Sequence, residues 1–385
     1  MRIAVICARY GIDIVGGAET LSRGLMERLV LLGHHGEVWT TCAYSHHTWH
    51  NVYPPGVEQI NGVQVRRFEI DPWDAGFHRA LTAKLISSGQ LPVQEQYKWI
   101  ESGPTSWTLY KYVKDHALDF DAIIVIPFVN TLTCQAAFLV QDRLIVWPCL
   151  HDEIYAYLEP IRLLMESANA NIFNSPEEFQ LAQNKLEMRL PRHAIIGSGV
   201  TMQESNQVMS RSGTPYVLYM GRLEEEKNLP LLVEYIDRYT AEGNIIKLVL
   251  AGYGSYSPPE NGAFHHKGFV AEKDKMCLYA NALALCQPSV NESFSLTMME
   301  SWLAGRPALV HADCAVTRGH VKRSHGGLWF ETYGEFRGAL NWLQENPELA
   351  RRMGQNGCEY VRQNYTWPIV ANRFLAIMQR WGIAR

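Results

Sequence analysis

No segment of this 385-residue chain stays apolar over the length that a membrane span requires. A strongly cationic surface is missing too. Basic residues number 35 against 39 acidic ones, for a net charge of −4. Residues 1–200 hold 16 basic and 21 acidic residues, and residues 201–385 hold 19 and 18. Neither half concentrates the positive charge that phosphate backbones require, so nucleic acid is not an expected partner. An anionic membrane gains no strong support, and only a weak peripheral association fits. The eight cysteines include no C-x-x-C pair, and most lie in apolar surroundings, as expected of reduced core thiols. Met1-Arg2-Ile3 runs straight into a strand-like stretch without the apolar region of a secretory signal. The expected location is the cytoplasm or the inner face of a membrane, where the sequons Asn291-Glu292-Ser293 and Asn364-Tyr365-Thr366 carry little meaning.

Hydrophobic residues at 47% and charged residues at 19% describe an ordinary globular protein. The length exceeds what one compact core usually supports, so two domains are expected. The opening residues give an apolar strand (Ile3–Cys7), a glycine-containing loop, a helix with Leu21, Leu25, Leu29 and Leu32 on one face, and a strand near Glu37–Thr41. Apolar runs at Ala122–Ile126, Leu144–Trp147 and Asn171–Phe173 then alternate with helical patterns, which predicts a parallel sheet covered on both faces. Between Tyr44 and Tyr112 the periodicity is lost, and acceptor-facing insertions are expected there. A polar stretch, Thr201–Thr214, reads as a linker. Beyond it, Tyr216–Met220, Lys247–Ala251, Leu283–Cys286, Ala308–Val310 and Gly327–Phe330 predict a second doubly wound sheet. Ligands of such sheets bind beyond the carboxyl ends of the strands, so the informative residues are those that follow strands.

After Tyr216–Met220 comes Gly221-Arg222-Leu223-Glu224-Glu225-Glu226-Lys227-Asn228, with Asn228 placed to cap a helix starting at Leu229. Gly221 permits close backbone approach, Arg222 can fork two phosphate oxygens and Lys227 adds a point charge. A pyrophosphate would use all three, although such charged loops also occur on solvated surfaces. Glu292-Ser293-Phe294-Ser295-Leu296-Thr297-Met298-Met299-Glu300 follows Leu283–Cys286. With a helix starting near Ser295, its N–H groups favour a bound anion, Glu292 stands in the loop, and Glu300 can accept from a ribose diol. A turn residue and a surface residue remain the plain alternative for the two glutamates. Gly16-Gly17-Ala18-Glu19 joins the first strand to the first helix, where a double glycine lets backbone approach a ligand or simply makes the turn. His151-Asp152-Glu153 follows Leu144–Trp147, and His151 can hydrogen-bond a sugar or acceptor hydroxyl, although a lone histidine is usually structural.

Other motifs are discounted. Asp119-Phe120-Asp121 matches D-x-D but precedes a strand, so no metal is expected there. The adjacent pairs His34-His35, His46-His47 and His265-His266 should point their side chains apart, unlike i, i+4 ligands. Gly252-Tyr253-Gly254 lacks the third glycine of a dinucleotide fingerprint.

Taken together, the glycine pair at 16–17, His151, Gly221-Arg222 with Lys227, and Glu292-x7-Glu300 resemble glycosyltransferase family four, in that family's order and each after the corresponding strand. Pro288-Ser289 and Ala304-Gly305-Arg306-Pro307 add to the likeness. Ile196-Gly197-Ser198-Gly199-Val200 departs from the asparagine-glycine-valine usual at that junction. The resemblance implies a GT-B fold: an N-terminal Rossmann-like domain over 1–200 with a C-terminal helix, 366–385, returning to it, and a donor domain over 201–365. It also implies closure about hinges near 199–214 and 364–368. The implied activity is a retaining transfer of a sugar from a nucleotide diphosphate donor to a glycan, lipid-linked or small-molecule acceptor, without a cofactor or an essential metal. A nucleotide-sugar epimerase, a phosphorylase or a non-catalytic nucleotide-sugar binding protein of related fold is the alternative. Glu292 and His151 would be the catalytic pair. Gly221, Arg222, Lys227, Phe294, Ser295, Leu296 and Glu300, with Gly16 and Gly17, would surround the donor.

Overall fold

A computed structural model describes residues 1–201, 213–259 and 262–383. The chain forms two compact units, Met1–Gly199 with Trp367–Arg385, and Val200–Thr366. Most of the stretch read as a linker, residues 202–212, and with it most of the first expected hinge, lies outside the described residues.

Unit 1 is built on β1 (Arg2–Ile6), β2 (His35–Thr41), β3 (Gly56–Ile60), β4 (Val63–Phe68), β5 (Ala122–Val125), β6 (Leu144–Val146), β7 (Ala170–Phe173) and β8 (His193–Ile195). They order as β3-β4-β2-β1-β5-β6-β7-β8, and only the β3–β4 pair is antiparallel. Consecutive residues of β1 enter opposite cores, Ile3 and Val5 one, Ala4 and Ile6 the other. Both faces of the sheet are therefore covered, which is why its central strands read as unbroken apolar runs. The first helix, Gly17–Leu31, buries Leu21, Leu25, Met26 and Leu29. Leu32, expected on that face, lies beyond the last helical residue and is exposed, and Met26 takes its place in the core. The aperiodic stretch holds β3, β4 and the helices Ala75–Ser88, Val93–Ser102 and Trp107–His116, and Leu85, Trp99 and Leu109 from those helices belong to the core.

Unit 2 is built on β9 (Tyr216–Met220), β10 (Lys247–Ala251), β11 (Phe264–Gly268), β12 (Ala284–Gln287), β13 (Ala308–His311) and β14 (Gly327–Phe330), all parallel, in the order β11-β10-β9-β12-β13-β14. The winding reverses between β9 and β12, and ligands of open sheets bind at such a switch point. Among the described residues no helix is long and apolar enough to cross a membrane.

Helix Trp367–Arg380 lies in the core of unit 1, where Phe374 stacks on Trp147 at 6.5 Å between centroids. Trp367, 5% exposed, leaves no room for a side chain at Gly24 or Gly199: an added Cβ would stand 1.9 Å and 2.3 Å from its ring. Trp367→Ala is expected to destabilise by about 3–5 kcal/mol, and Gly24→Ala or Gly199→Ala by about 1–3 kcal/mol. In a Trp367→Ala background the Gly24→Ala cost should shrink, since the clash is gone. Urea unfolding midpoints of the single and double variants check this.

Candidate active site

At the unit 2 switch point, the loop after β9 carries Gly221, Arg222 and Lys227, and the loop after β12 carries Glu292. The sheet brings these loops together: Lys227 Nζ donates to Glu292 Oε1 at 2.8 Å, although the residues are 65 positions apart. The two side chains are 17% and 13% exposed, so the pair is largely withdrawn from water. Arg222, half exposed, pairs with Glu224 at 2.9 Å, and its carbonyl accepts from the buried Tyr219 hydroxyl at 2.7 Å. Both predicted cations thus stand at the carboxyl end of β9, each facing a carboxylate.

Backbone geometry explains the glycines. Gly221 has φ 152°, in the range that favours glycine, and a Cβ at Gly252 would lie 1.8 Å from the Gly221 carbonyl oxygen. A Cβ at Gly254 would lie 1.9 Å from the Leu223 carbonyl oxygen. The Gly252-Tyr253-Gly254 motif, discounted as a dinucleotide fingerprint, therefore lets the loop after β10 pack directly on the Arg222 loop.

Asn228 precedes the helix Leu229–Ala241 as expected, but it does not cap it. Its backbone is left-handed (φ 59°), which turns the side chain away from the helix, and its Nδ2 donates to the Pro288 carbonyl at 3.1 Å. That bond ties the β9 loop to the β12 loop instead. Ser295 is the N-cap residue of helix Leu296–Leu303, with φ 75°, and it is buried, as is Phe294. Leu296 opens the helix and is half-buried. Glu300 lies one turn inside, and its Oε2 accepts from the buried Tyr279 hydroxyl at 2.6 Å. Burial raises the Glu300 carboxyl above the ordinary glutamate value, with Lys275 and the Tyr279 bond acting in the opposite direction. Sequence reasoning missed Tyr279, because nothing in a lone tyrosine on a helix signals a carboxylate 21 positions on.

Gly16, Gly17 and His151 belong to unit 1. Gly16 is the N-cap residue of Gly17–Leu31, and a Cβ there would meet the Glu19 carboxylate, which is paired with Arg9. A Cβ at Gly17 would meet nothing within 4 Å, so packing alone does not require that glycine. His151 follows β6, with Nδ1 3.8 Å from Glu153 Oε1. The Leu150 N–H beside it is held by Glu178, a buried residue that sequence reasoning passed over despite the capping pattern Ser175-x-x-Glu178.

The discounted motifs sit as follows. Asp121 accepts from the Arg2 N–H at 2.7 Å and Asp119 lies 3.1 Å from His116 Nδ1, immediately before β5. His46 and His47 do not point apart: in their turn the rings lie 4.0 Å between centroids, because the opposed orientation holds only in regular structure. Among the described residues no group of three or more His, Cys, Asp or Glu could hold a metal ion.

Residues 201–360 match the family model described as Glycosyl transferases group 1. A trehalose synthase of Rubrobacter xylanophilus is 23% identical over 194 residues, which cover 44% of this chain and 45% of that protein, less than half its length. The sucrose-phosphate synthase structure from Thermosynechococcus elongatus superposes with a TM-score of 0.72 at 17% identity, over 98% of each chain. That of Anabaena HepE in complex with UDP-glucose gives 0.70 at 15% identity, over 99% of this chain and all of the other. The chain has the GT-B fold, and its residues 201–360 are similar to glycosyl transferases group 1.

Proposed function

We propose that the protein is a retaining, metal-independent glycosyltransferase that moves a hexose from a UDP- or GDP-sugar to a glycan, lipid-linked or small-molecule acceptor. The observation that carries this reading is the Lys227–Glu292 pair at the β9/β12 switch point, with Arg222 in the same loop and Glu300 in the helix that follows. The group 1 domain match and the UDP-glucose held by Anabaena HepE support a nucleotide-sugar donor.

In this reading the donor diphosphate competes with Glu292 for the Lys227 ammonium. Binding exchanges an internal ion pair for a charge-assisted phosphate contact and turns Glu292 from Lys227 toward a sugar hydroxyl. Arg222 supplies a second, forked contact. As the bond between the sugar and the diphosphate breaks, the two cations stabilise the charge that collects on the leaving group. Glu300, with one oxygen held by Tyr279, presents the other to the ribose diol. His151 contacts the sugar or the acceptor. A panel of labelled UDP- and GDP-sugars tests the reading: transfer or slow hydrolysis supports it, whereas isomerised donor identifies an epimerase and tight binding without turnover a binding protein.

Arg222→Ala and Lys227→Ala should each weaken binding of UDP or GDP, measured by calorimetry, by about 1.5–3 kcal/mol. Lys227→Ala should also lower stability, because it leaves Glu292 largely buried without its cation, while half-exposed Arg222 can be removed without that cost. Unchanged affinity in both variants would remove these residues from the site.

Glu300 must be ionised for its free oxygen to serve as a full acceptor, and burial raises its pKa. Nucleotide affinity is therefore expected to fall as pH drops, starting above the ordinary glutamate value of 4.5. Glu300→Gln should lower affinity and abolish that dependence, and Glu292→Gln should mainly reduce turnover. Titrations between pH 4 and 8 that give one curve for wild type and Glu300→Gln would contradict the assignment.

A further inference from the structure

Glu178 is 1% exposed, yet it serves none of the roles proposed above. It is the third residue of the helical segment Pro176–Gln180, whose N-cap, Ser175, accepts from the Glu178 N–H through its hydroxyl at 3.1 Å. In a capping box the glutamate at this position reaches back to the N-cap backbone. Here the carboxyl does more. Oε2 accepts from the Asn174 N–H at 2.5 Å, and Oε1 accepts from the Leu150 N–H at 2.5 Å, 28 residues away, in the loop after β6.

That loop bears His151. It turns at Cys149, whose φ is 54°, a left-handed conformation that a non-glycine residue keeps only when its surroundings impose it. Asn174 braces the same turn from the β7 side. Its Oδ1 accepts from Trp147 Nε1 at 2.9 Å, and its Nδ2 donates to Cys149 Sγ at 3.6 Å. The residues on both sides of Cys149 are thus tied to the Asn174–Glu178 segment, and Leu150 is the tie nearest His151.

We propose that Glu178 is a positioning residue for His151, its carboxyl fixing the 149–151 turn through the Leu150 N–H. A carboxyl suits this place because each of its oxygens accepts one backbone N–H. A glutamine of the same shape must turn its amide N–H toward one of those donors. Burial pushes the Glu178 carboxyl up to about 8, against backbone N–H bonds from Asn174, Leu150 and Ser175 that favour the charged form. The role rests on the reading of His151 as a sugar or acceptor contact, but the geometry does not.

Two variants separate positioning from helix capping. Ser175→Ala removes the capping hydroxyl and leaves the Leu150 bond, whereas Glu178→Gln disturbs the Leu150 bond and leaves the hydroxyl. In Glu178→Gln, backbone amides of residues 149–152 should exchange at least tenfold faster than in wild type, and the His151 Hε1 NMR resonance should shift. Neither should change in Ser175→Ala. Should Glu178→Gln fail to fold, Glu178→Asp, too short to reach both donors, takes its place. Equal behaviour of the two variants, or unchanged exchange at 149–152, overturns the proposal. On UDP-glucose hydrolysis, Glu178→Gln combined with His151→Ala should be no slower than His151→Ala alone, while additive losses would return Glu178 to a purely structural role. A His151→Ala variant with full turnover would overturn the reading of His151, and the exchange measurement would still decide whether Glu178 holds the turn.

Discussion

The unit 2 site depends on one ion pair kept largely out of water. Lys227 and Glu292 come from loops 65 residues apart, and withdrawing both charges from solvent is unfavourable unless they meet closely. Several local features that look costly in isolation serve that meeting. Gly221, Gly252 and Gly254 allow the loops after β9 and β10 to pack backbone against backbone. Asn228 and Ser295 accept left-handed conformations, and the Asn228 side chain spends its hydrogen bond on the β12 loop rather than on its own helix. Such departures from local preference gather where a surrounding structure holds them in place for a function.

Where the sequence was legible, the reason is the sheet. Strands covered on both faces become continuous apolar runs, and Tyr216–Met220, Lys247–Ala251 and Gly327–Phe330 were placed to the residue. Strands lacking that cover were missed. Exposed residues fill most of β3, polar ones most of β11 (Phe-His-His-Lys-Gly), and β8 has three residues, so none shows a readable period. The Tyr44–Tyr112 stretch hid three helices that contribute to a core shared with the sheet, because two of them, Val93–Ser102 and Trp107–His116, have only 10 residues each and leave few repeats of the helical period.

The candidate site was legible in part for a related reason. Parallel strands direct their following loops to one edge, so residues just after apolar runs could be singled out without knowing their partners. Partnership itself was not readable. Nothing in the sequence couples Lys227 to Glu292 rather than to Glu224, Tyr279 to Glu300, or Glu178 to Leu150, since each pairing is set by strand order and loop packing. The same limit explains Gly252 and Gly254, whose purpose is visible only once the neighbouring carbonyls are in place.

Three carboxyls in this chain meet burial in different ways. Glu292 is paired with a cation, Lys227, which can give up that carboxylate for another anion. Glu300 is held by one hydroxyl, with Lys275 acting at longer range, and burial lifts its pKa while leaving it half accessible. Glu178 is fully enclosed among backbone N–H donors, and a rise from 4.5 to about 8 corresponds to about 5 kcal/mol against its ionised form. Because its folded pKa is raised, the stability linked to it is complete below the unfolded value and is lost as pH climbs through about 8. That runs opposite to the usual carboxylate, whose folded pKa is depressed. An apolar side chain at 178 would avoid this dependence, but it would leave the Leu150 and Asn174 N–H groups buried without acceptors, at about 1–3 kcal/mol each. Cost and constraint therefore come together at this position. Only a group with two acceptor oxygens on one short arm can close both bonds at once and hold the turn before His151.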